Sequence, residues 1–562
     1  MKRREFVRTA LTAGLASSAP HFGAAASVGT AGPATLAPGP VSHGSSGKPR
    51  LMYYDDSRHS SIYMYEPPML KEEFEASVDD LVGTPVDALM FGLGDGRTVL
   101  HDTKVGELWG DPVKEWTHLV FRRAHQNARM MLDSGGDPLR IVCERARAKG
   151  LAIFPSLFLN RGRGKERRND VRSANFTWEN QHLEIGAKGD LDESFPGVRK
   201  LDFKHQEVRD ERFALIQEVL QNYPVDGFEL YFGHYHYFHP KEVDAGRPLM
   251  TAWVKRIHDA LKASGSNRDL AVRVPVSLDE ANSRGLDVRE WIDRGIVEVV
   301  IGESYSYRMD QLADFRPMVE AARNRDCRVH AVIQPEVQSD RLDNGTIEFI
   351  RAVACNYWAQ GIDGLYLSQW FTAYPYRAEF YAQLREMSHP DIMTAKDKFY
   401  YVPTRQRATG PQMPLPKTLK VNQPVKTHLA VSDDLPRWDK MGRVHEVLLR
   451  FRLTGATETD RMEFRFNGKK LPKSSLRKIN RVYRMRAPRY RVFGYWYIYR
   501  LPRDHWPMQG KNQVEVTLHH RDNDIIPELA LKDVEIEVKY LDGKNFARGQ
   551  DPDTGPYRVW TP

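Results

Sequence analysis

The sequence predicts a (β/α)8 barrel followed by a β-sandwich of jelly-roll type, and three observations predict it. Between about residues 50 and 395, short apolar runs rich in Val, Ile, Phe and Tyr alternate with stretches of helical period, the grammar of repeated βα units around a parallel sheet. There are eight such runs, which suits a closed barrel better than an open doubly wound sheet. Beyond about residue 400 the helical period fades and strands of alternating polarity take over.

The eight runs are Leu51–Asp56, Ala88–Leu93, Leu151–Leu159, Gly227–Phe232, Leu270–Val276, Val297–Glu303, Val329–Glu336 and Gly364–Trp370. Helical patterns such as Phe213–Leu220, Thr346–Val353 and Arg377–Leu384 fall between or after them. No glycine-rich fingerprint follows the first run and no P-loop is present, so nucleotide chemistry finds no support. In the C-terminal part Val447–Leu453, Met462–Phe466, Tyr495–Tyr499, Val514–Leu518 and Val534–Tyr540 read as strands, and Asn467-Gly468 is a hairpin signal. The aromatic strip Tyr490, Phe493, Tyr495, Trp496 and Tyr497 is expected to serve an interface or a glycan, interface packing ranking first because strands of this alternation bury one face.

The boundaries follow from these patterns. Residues 1–26 carry Arg3-Arg4, a modest apolar core and Ala24-Ala25-Ala26, the order of a Tat-type export signal. A linker is expected over 27–49, the barrel over 50–395, a Pro-rich linker over 396–420, the sandwich over 421–545 and a tail over 546–562. The mature chain is expected in the periplasm or outside the cell. No segment has the roughly 20 apolar residues of a membrane span, so no stable insertion is expected.

A hydrophobic fraction of 41% is ample for a large core. The three cysteines, Cys143, Cys327 and Cys355, give neither a disulfide framework nor a metal-binding spacing and read as buried thiols. Neither cofactor nor metal is expected, and nothing points to nucleic acid. The formal charge of +8 is partly localised, in Arg161, Arg163, Lys165, Arg167 and Arg168 and again in Arg481, Arg484, Arg486, Arg489 and Arg491, clusters that suit an anionic partner or a solvated loop.

In a barrel of this kind chemistry sits where the strands end. Here the ends carry Asp55, Asp56, Asp95, Asn160, Glu229, Glu303, Glu336, Gln369 and Trp370, and Tyr231 to His239 leaves the fourth strand with His234, Tyr235 and His236 among aromatics. Alternation places Phe228, Leu230 and Phe232 toward the helices and Gly227, Glu229 and Tyr231 inside the barrel. A carboxylate there is costly without a task or a polar network. The same alternation puts Val332, Gln334 and Glu336 on one face of the seventh strand, with Glu336 nearest the rim. Glu229 and Glu336 are the expected catalytic carboxyls, with Glu303 third. Asp55, Asp56, Asn160, Arg161, Arg163, Tyr231, His234, His236, Tyr305, Gln369 and Trp370 are the expected substrate contacts.

Asp226-Gly-Phe-Glu-Leu-Tyr-Phe232 resembles the D-G-x-E-x-D-F fourth strand of bacterial glycosyl-hydrolase-like barrels and, more distantly, is similar to the D-G-x-D-x-D-x-E strand of family 18 chitinases. The first likeness extends to Tyr54-Asp55-Asp56, Gly83-Thr-Pro-Val-Asp87, Gly285-Leu-Asp-Val288 with Trp291, and Gly364-Leu-Tyr-Leu367. The resemblance implies a carbohydrate-active barrel with Glu229 in its site. Tyr231 replaces the aspartate of the first pattern, and Gly233 stands where the chitinases place their acid, so a chitinase mechanism is not expected.

Three functions compete. One is an exported glycoside hydrolase of a polysaccharide, anionic in keeping with the basic loop after the third strand. Another is a polysaccharide lyase, in which a Tyr or His near Arg161 or Arg163 abstracts a proton beside a uronate carboxylate. The third is a non-catalytic carbohydrate-binding barrel.

Overall fold

The computed structural model describes residues 48–304, 308–339, 341–404, 413–481, 493–546 and 548. The proposed export signal, Tyr305, Tyr490 and all of the second basic cluster except Arg481 lie outside them.

The first compact layer is a closed barrel. Its strands are β1 (Leu51–Asp55), β2 (Ala88–Asp95), β3 (Ala152–Phe158), β4 (Gly227–Tyr231), β5 (Asp269–Pro275), β6 (Val299–Glu303), β7 (Arg328–Ile333) and β8 (Gly364–Leu367). Each is parallel to its neighbours, and β1 pairs with both β2 and β8, which closes the ring. Closure explains why these runs are apolar on both faces: one side meets the helices and the other fills the barrel. Leu51, Tyr53, Leu89, Phe228, Leu230, Leu270 and Val300 pack outward against helices such as Gln206–Asn222 and Val243–Ser264. Met52, Tyr54, Met90, Phe154, Ala271, Ile301, Val332 and Tyr366 fill the interior. The interior placement of Glu229 follows from the same alternation: Phe228 and Leu230, on either side of it, belong to the outer core.

The second layer is a two-sheet antiparallel sandwich. One sheet contains β9 (Lys398–Tyr401), β11 (Val444–Thr454), β13 (Leu476–Asn480), β14 (Tyr495–Arg500) and β16 (Ala530–Tyr540). The other contains β10 (Val425–Val431), β12 (Arg461–Phe466) and β15 (Gly510–His520). Asn467 and Gly468, at φ 48° and 78°, form the two-residue turn between β12 and Lys469–Lys470, with both φ values in the left-handed region that this turn requires. Residues 398–401, expected as linker, are strand β9, paired antiparallel with β16. Their alternation was too short to register, and β16 supplies the partner.

β9 also joins the two layers. Phe399 stacks on Phe349 of the barrel helix Ile347–Trp358 at 4.4 Å between ring centroids. The Gln311 side chain donates to the Phe399 carbonyl and accepts from the Tyr401 amide, each at 2.9 Å. Of the aromatic strip, Tyr495 and Tyr497 enter the sandwich core, while Trp496 takes the guanidinium of Arg341, from the barrel side, over its ring at 5.1 Å. All three cysteines are free and buried. Among the described residues no helix is long and apolar enough to cross a membrane.

Candidate active site

Glu229, Arg273 and Glu303 climb the barrel interior in steps. Glu229 lies opposite Ala271, Arg273 opposite Ile301, and Glu303 is two residues beyond Ile301, so the stagger of neighbouring strands puts the cation between the two carboxyls. All three are fully buried. Arg273 donates to Glu303 Oε1 at 2.7 Å and to Ser368 Oγ at 2.6 Å, and Gln334 donates to the same Oε1 at 2.9 Å. Tyr366 donates its hydroxyl to Glu229, with the two carboxylate oxygens at 2.9 and 3.0 Å, and itself accepts from Arg273 at 3.5 Å. The Arg273 guanidinium lies 4.0 Å from the ring centre of Tyr231, 5.0 Å from that of Tyr366 and 5.3 Å from that of Tyr54, an aromatic sleeve that excludes water and strengthens every charge interaction inside it.

The electrostatics of the two carboxyls differ. Burial pushes the Glu229 carboxyl above the usual carboxylate range, and Arg273 and Tyr366 pull it only part of the way back. Glu303 carries the ion pair with Arg273, and its Oε2 is enclosed without a hydrogen-bond partner among the described residues. One carboxyl is thus biased toward the acid form, while its neighbour is ion-paired with Arg273.

A second polar set crowns β1 and β2. Asp56 accepts the backbone N–H of Arg58 and His59, and its other oxygen meets His59 Nδ1 at 2.7 Å. Burial raises it, but Arg58 and His59 outweigh burial and bring it to about 2. Asp95 accepts from Arg58 at 2.7 Å and from the Trp109 indole at 3.3 Å, with Arg172 at 3.8 Å. Asp55 turns the other way. It shares the helix-facing side of β1 with Leu51 and Tyr53, accepts from the Ser57 amide and the Ser60 hydroxyl, both at 2.7 Å, and is pushed up to about 6 by burial and by Asp56.

The remaining expected residues divide between mouth and scaffold. Glu336 lies beyond β7, is about one-third exposed and is ion-paired with the buried Arg308. The structure ties Glu229 to Glu303 through Tyr366 and Arg273, and gives Glu336 a separate partner at the rim. Asn160, fully buried, donates to the carbonyls of Leu201 and His236 and so pins the long loop after β3 to the loop after β4. Arg163 is held by Glu184 at 2.5 Å. His234 Nδ1 meets Glu280 at 2.8 Å, and His236 Nε2 takes a hydrogen bond from Arg284 at 2.7 Å, with burial and Arg284 lowering His236 to about 4. Trp370 is a core residue whose indole donates to the Ile333 carbonyl at 3.0 Å, and Gln369 stays half-buried at the rim with φ 65°.

Sequence reasoning missed Arg273, Tyr366, Gln334 and Ser368 around the two carboxyls. Arg273 had a signal: it is the one charge inside the apolar run Leu270–Val276, on the same alternation as Ala271. Tyr366 and Ser368 look like ordinary strand residues.

No family model matches the chain, and no curated protein matches it. Its fold is similar to solved structures at low identity. A Paenibacillus sp. cycloisomaltooligosaccharide glucanotransferase aligns at 10% identity and a TM-score of 0.33, over 87% of this chain and 57% of that one. Alpha-L-fucosidase isoenzyme 2 from Paenibacillus thiaminolyticus aligns at 13% and 0.39, over 61% and 49%. A class V chitinase from Pseudomonas fluorescens aligns at 13% and 0.34, over 60% and 99%. The chain therefore spans only about half the length of the first two. The barrel is established by its strand register.

Proposed function

We propose that the protein is an exported glycoside hydrolase of a polysaccharide, with Glu229 and Glu303 as its reacting carboxyls. The observation that carries this reading is the pair itself: two buried carboxyls on one ladder, one biased toward its protonated form and the other ion-paired with Arg273. Glu229 as acid would protonate the departing glycosidic oxygen, and Glu303 as carboxylate would attack the sugar carbon or activate water against it. Glu336 then serves at the rim, holding Arg308. The half-buried Tyr235 supplies a flat face for a sugar ring.

The test is a polysaccharide panel scored for new reducing ends with the parental protein and with Glu229→Gln, Glu303→Gln and Glu336→Gln. Loss of about 100-fold or more in the first two, with melting temperatures near the parental value, is the expected result. If both keep near-parental rates, the pair is not catalytic; if both lose their fold instead, the network is structural. A lyase is the second reading, favoured by Tyr235 and Arg161 lying beside the buried amine of Lys200. It would announce itself by ultraviolet absorbance of unsaturated products in place of simple reducing ends.

A further inference from the structure

Lys200 is a buried cation without an anion. It is 7% exposed, and the one hydrogen bond of its ammonium goes to the backbone carbonyl of Asn160 at 2.5 Å. Among the described residues it forms no ion pair with a carboxylate, and the charge that acts on it is Arg161. Its surroundings make the imbalance worse. Arg161 is close enough to repel it, Arg284 stands behind His236, and the Tyr235 ring closes one side, with Nζ 4.3 Å from the ring centre. Burial and Arg161 together lower the Lys200 amine to about 7. The position is built and not incidental, because Asn160 ties both Leu201, the residue after Lys200, and His236 into place, and a Cβ on Gly162 would come within 3.2 Å of Lys200 Cγ.

Arg161 extends the same excess toward β2. It lies near enough to Asp95 to lower that carboxyl, yet it makes no ion pair with Asp95 or any other carboxylate among the described residues. Arg58, Arg161 and Arg172 all act on Asp95, and Arg58 also acts on Asp56, so with Lys200 four cations face two carboxylates along the β1–β4 side of the mouth. A charge buried in this way destabilises the fold unless something neutralises it. Active sites are where such unpaired groups are retained.

We propose that Lys200 and Arg161, with the ring of Tyr235, form a subsite for one anionic substituent of the substrate sugar, a carboxylate or a sulfate ester. The proposal rests on the hydrolase reading for its sugar and on the unpaired cations for its charge. A planar guanidinium beside a compact ammonium offers charge-assisted hydrogen bonds to either oxyanion. The tyrosine face takes the sugar ring to which the anion is attached.

The experiment is binding, which needs no turnover. The full chain and its Lys200→Met, Arg161→Gln and doubly substituted variants are titrated with sodium sulfate, glucuronate and glucose at constant ionic strength. Calorimetry and thermal melting give the dissociation constants. The parental protein is expected to bind sulfate or glucuronate and not glucose, and whichever of the two binds identifies the substituent. Each single variant should weaken binding at least about tenfold, and the double variant should abolish it. Lys200→Arg, which keeps the charge, should keep most of it. General salting effects of sulfate act equally on the double variant and so cancel in the comparison. Equal binding by parent and double variant, or no binding of either anion by the parent, overturns the proposal. Anion binding that disappears in the variants, in a protein that hydrolyses nothing on the panel, would leave the subsite standing and remove the hydrolase. Hydrolysis of neutral glycans with no anion binding would do the reverse.

Discussion

Arg273, inside the barrel, and Lys200, on the loop after β3, are both buried cations, and they differ in what surrounds them. Arg273 has Glu303 at 2.7 Å, Ser368 at 2.6 Å and three tyrosine rings around its guanidinium. Lys200 has one carbonyl, one tyrosine ring and a second cation nearby. The first is the centre of a closed network that fixes the orientation of two carboxyls. The second is an open valence. The comparison teaches that burial alone does not identify a functional charge; the completeness of its partners separates a group that holds the site in shape from one that waits for a ligand.

Breaking the closed side should have the largest effect. Arg273→Met leaves Glu303 as a buried anion without its counter-ion, and a loss of about 3–5 kcal/mol in urea unfolding is expected. Adding Glu303→Met to that variant should recover a large part of the loss, because the uncompensated charge goes with it. If the single variant unfolds at the parental denaturant concentration, Arg273 does not anchor the network.

Tyr366→Phe removes the hydroxyl that β8 donates to Glu229 while keeping the ring, and should cost about 1–3 kcal/mol. Because that hydrogen bond lowers the Glu229 carboxyl, its loss should move the apparent acid pKa of the rate profile upward. A profile that stays in place would detach Glu229 from the titration that limits the rate.

On the open side the sign reverses. Lys200→Met deletes an unpaired charge and should stabilise the protein by about 1–2 kcal/mol at pH 6. The folded-state pKa of about 7 lies below the ordinary lysine value, so the folded protein binds fewer protons than the unfolded chain between the two. Parental stability should therefore rise as pH increases from about 7 toward 10, and the advantage of the variant should shrink over that window. Melts in which Lys200→Met is less stable at every pH would show that the lysine has a partner.

Glu336→Gln should have the smallest effect. The glutamine would keep an acceptor for the buried Arg308, and water at the one-third-exposed side chain screens the lost charge, so the substitution is expected to cost about 1 kcal/mol. Turnover within about threefold of the parental rate would sharpen the assignment of chemistry to Glu229 and Glu303. A large fall in kcat with an unchanged melt would return Glu336 to the reacting pair.

What the sequence determined by itself was periodic. Eight apolar runs with helices between them specify the barrel, the alternation within Gly227–Tyr231 puts Glu229 inside it, and Asn467-Gly468 marks its hairpin, because side-chain direction and turn geometry are local properties of the backbone. Alternation also explains Asp55: one residue before Asp56, it faces the helices and not the mouth. The tertiary structure alone decided which strand ends converge. The stagger between β4, β5 and β6 places Arg273 between Glu229 and Glu303, and the course of the loop from residue 159 to residue 205 carries Lys200 back to Asn160, 40 residues earlier in the chain. Neither follows from residue order, since strand stagger and loop return are set by how the whole ring closes and packs.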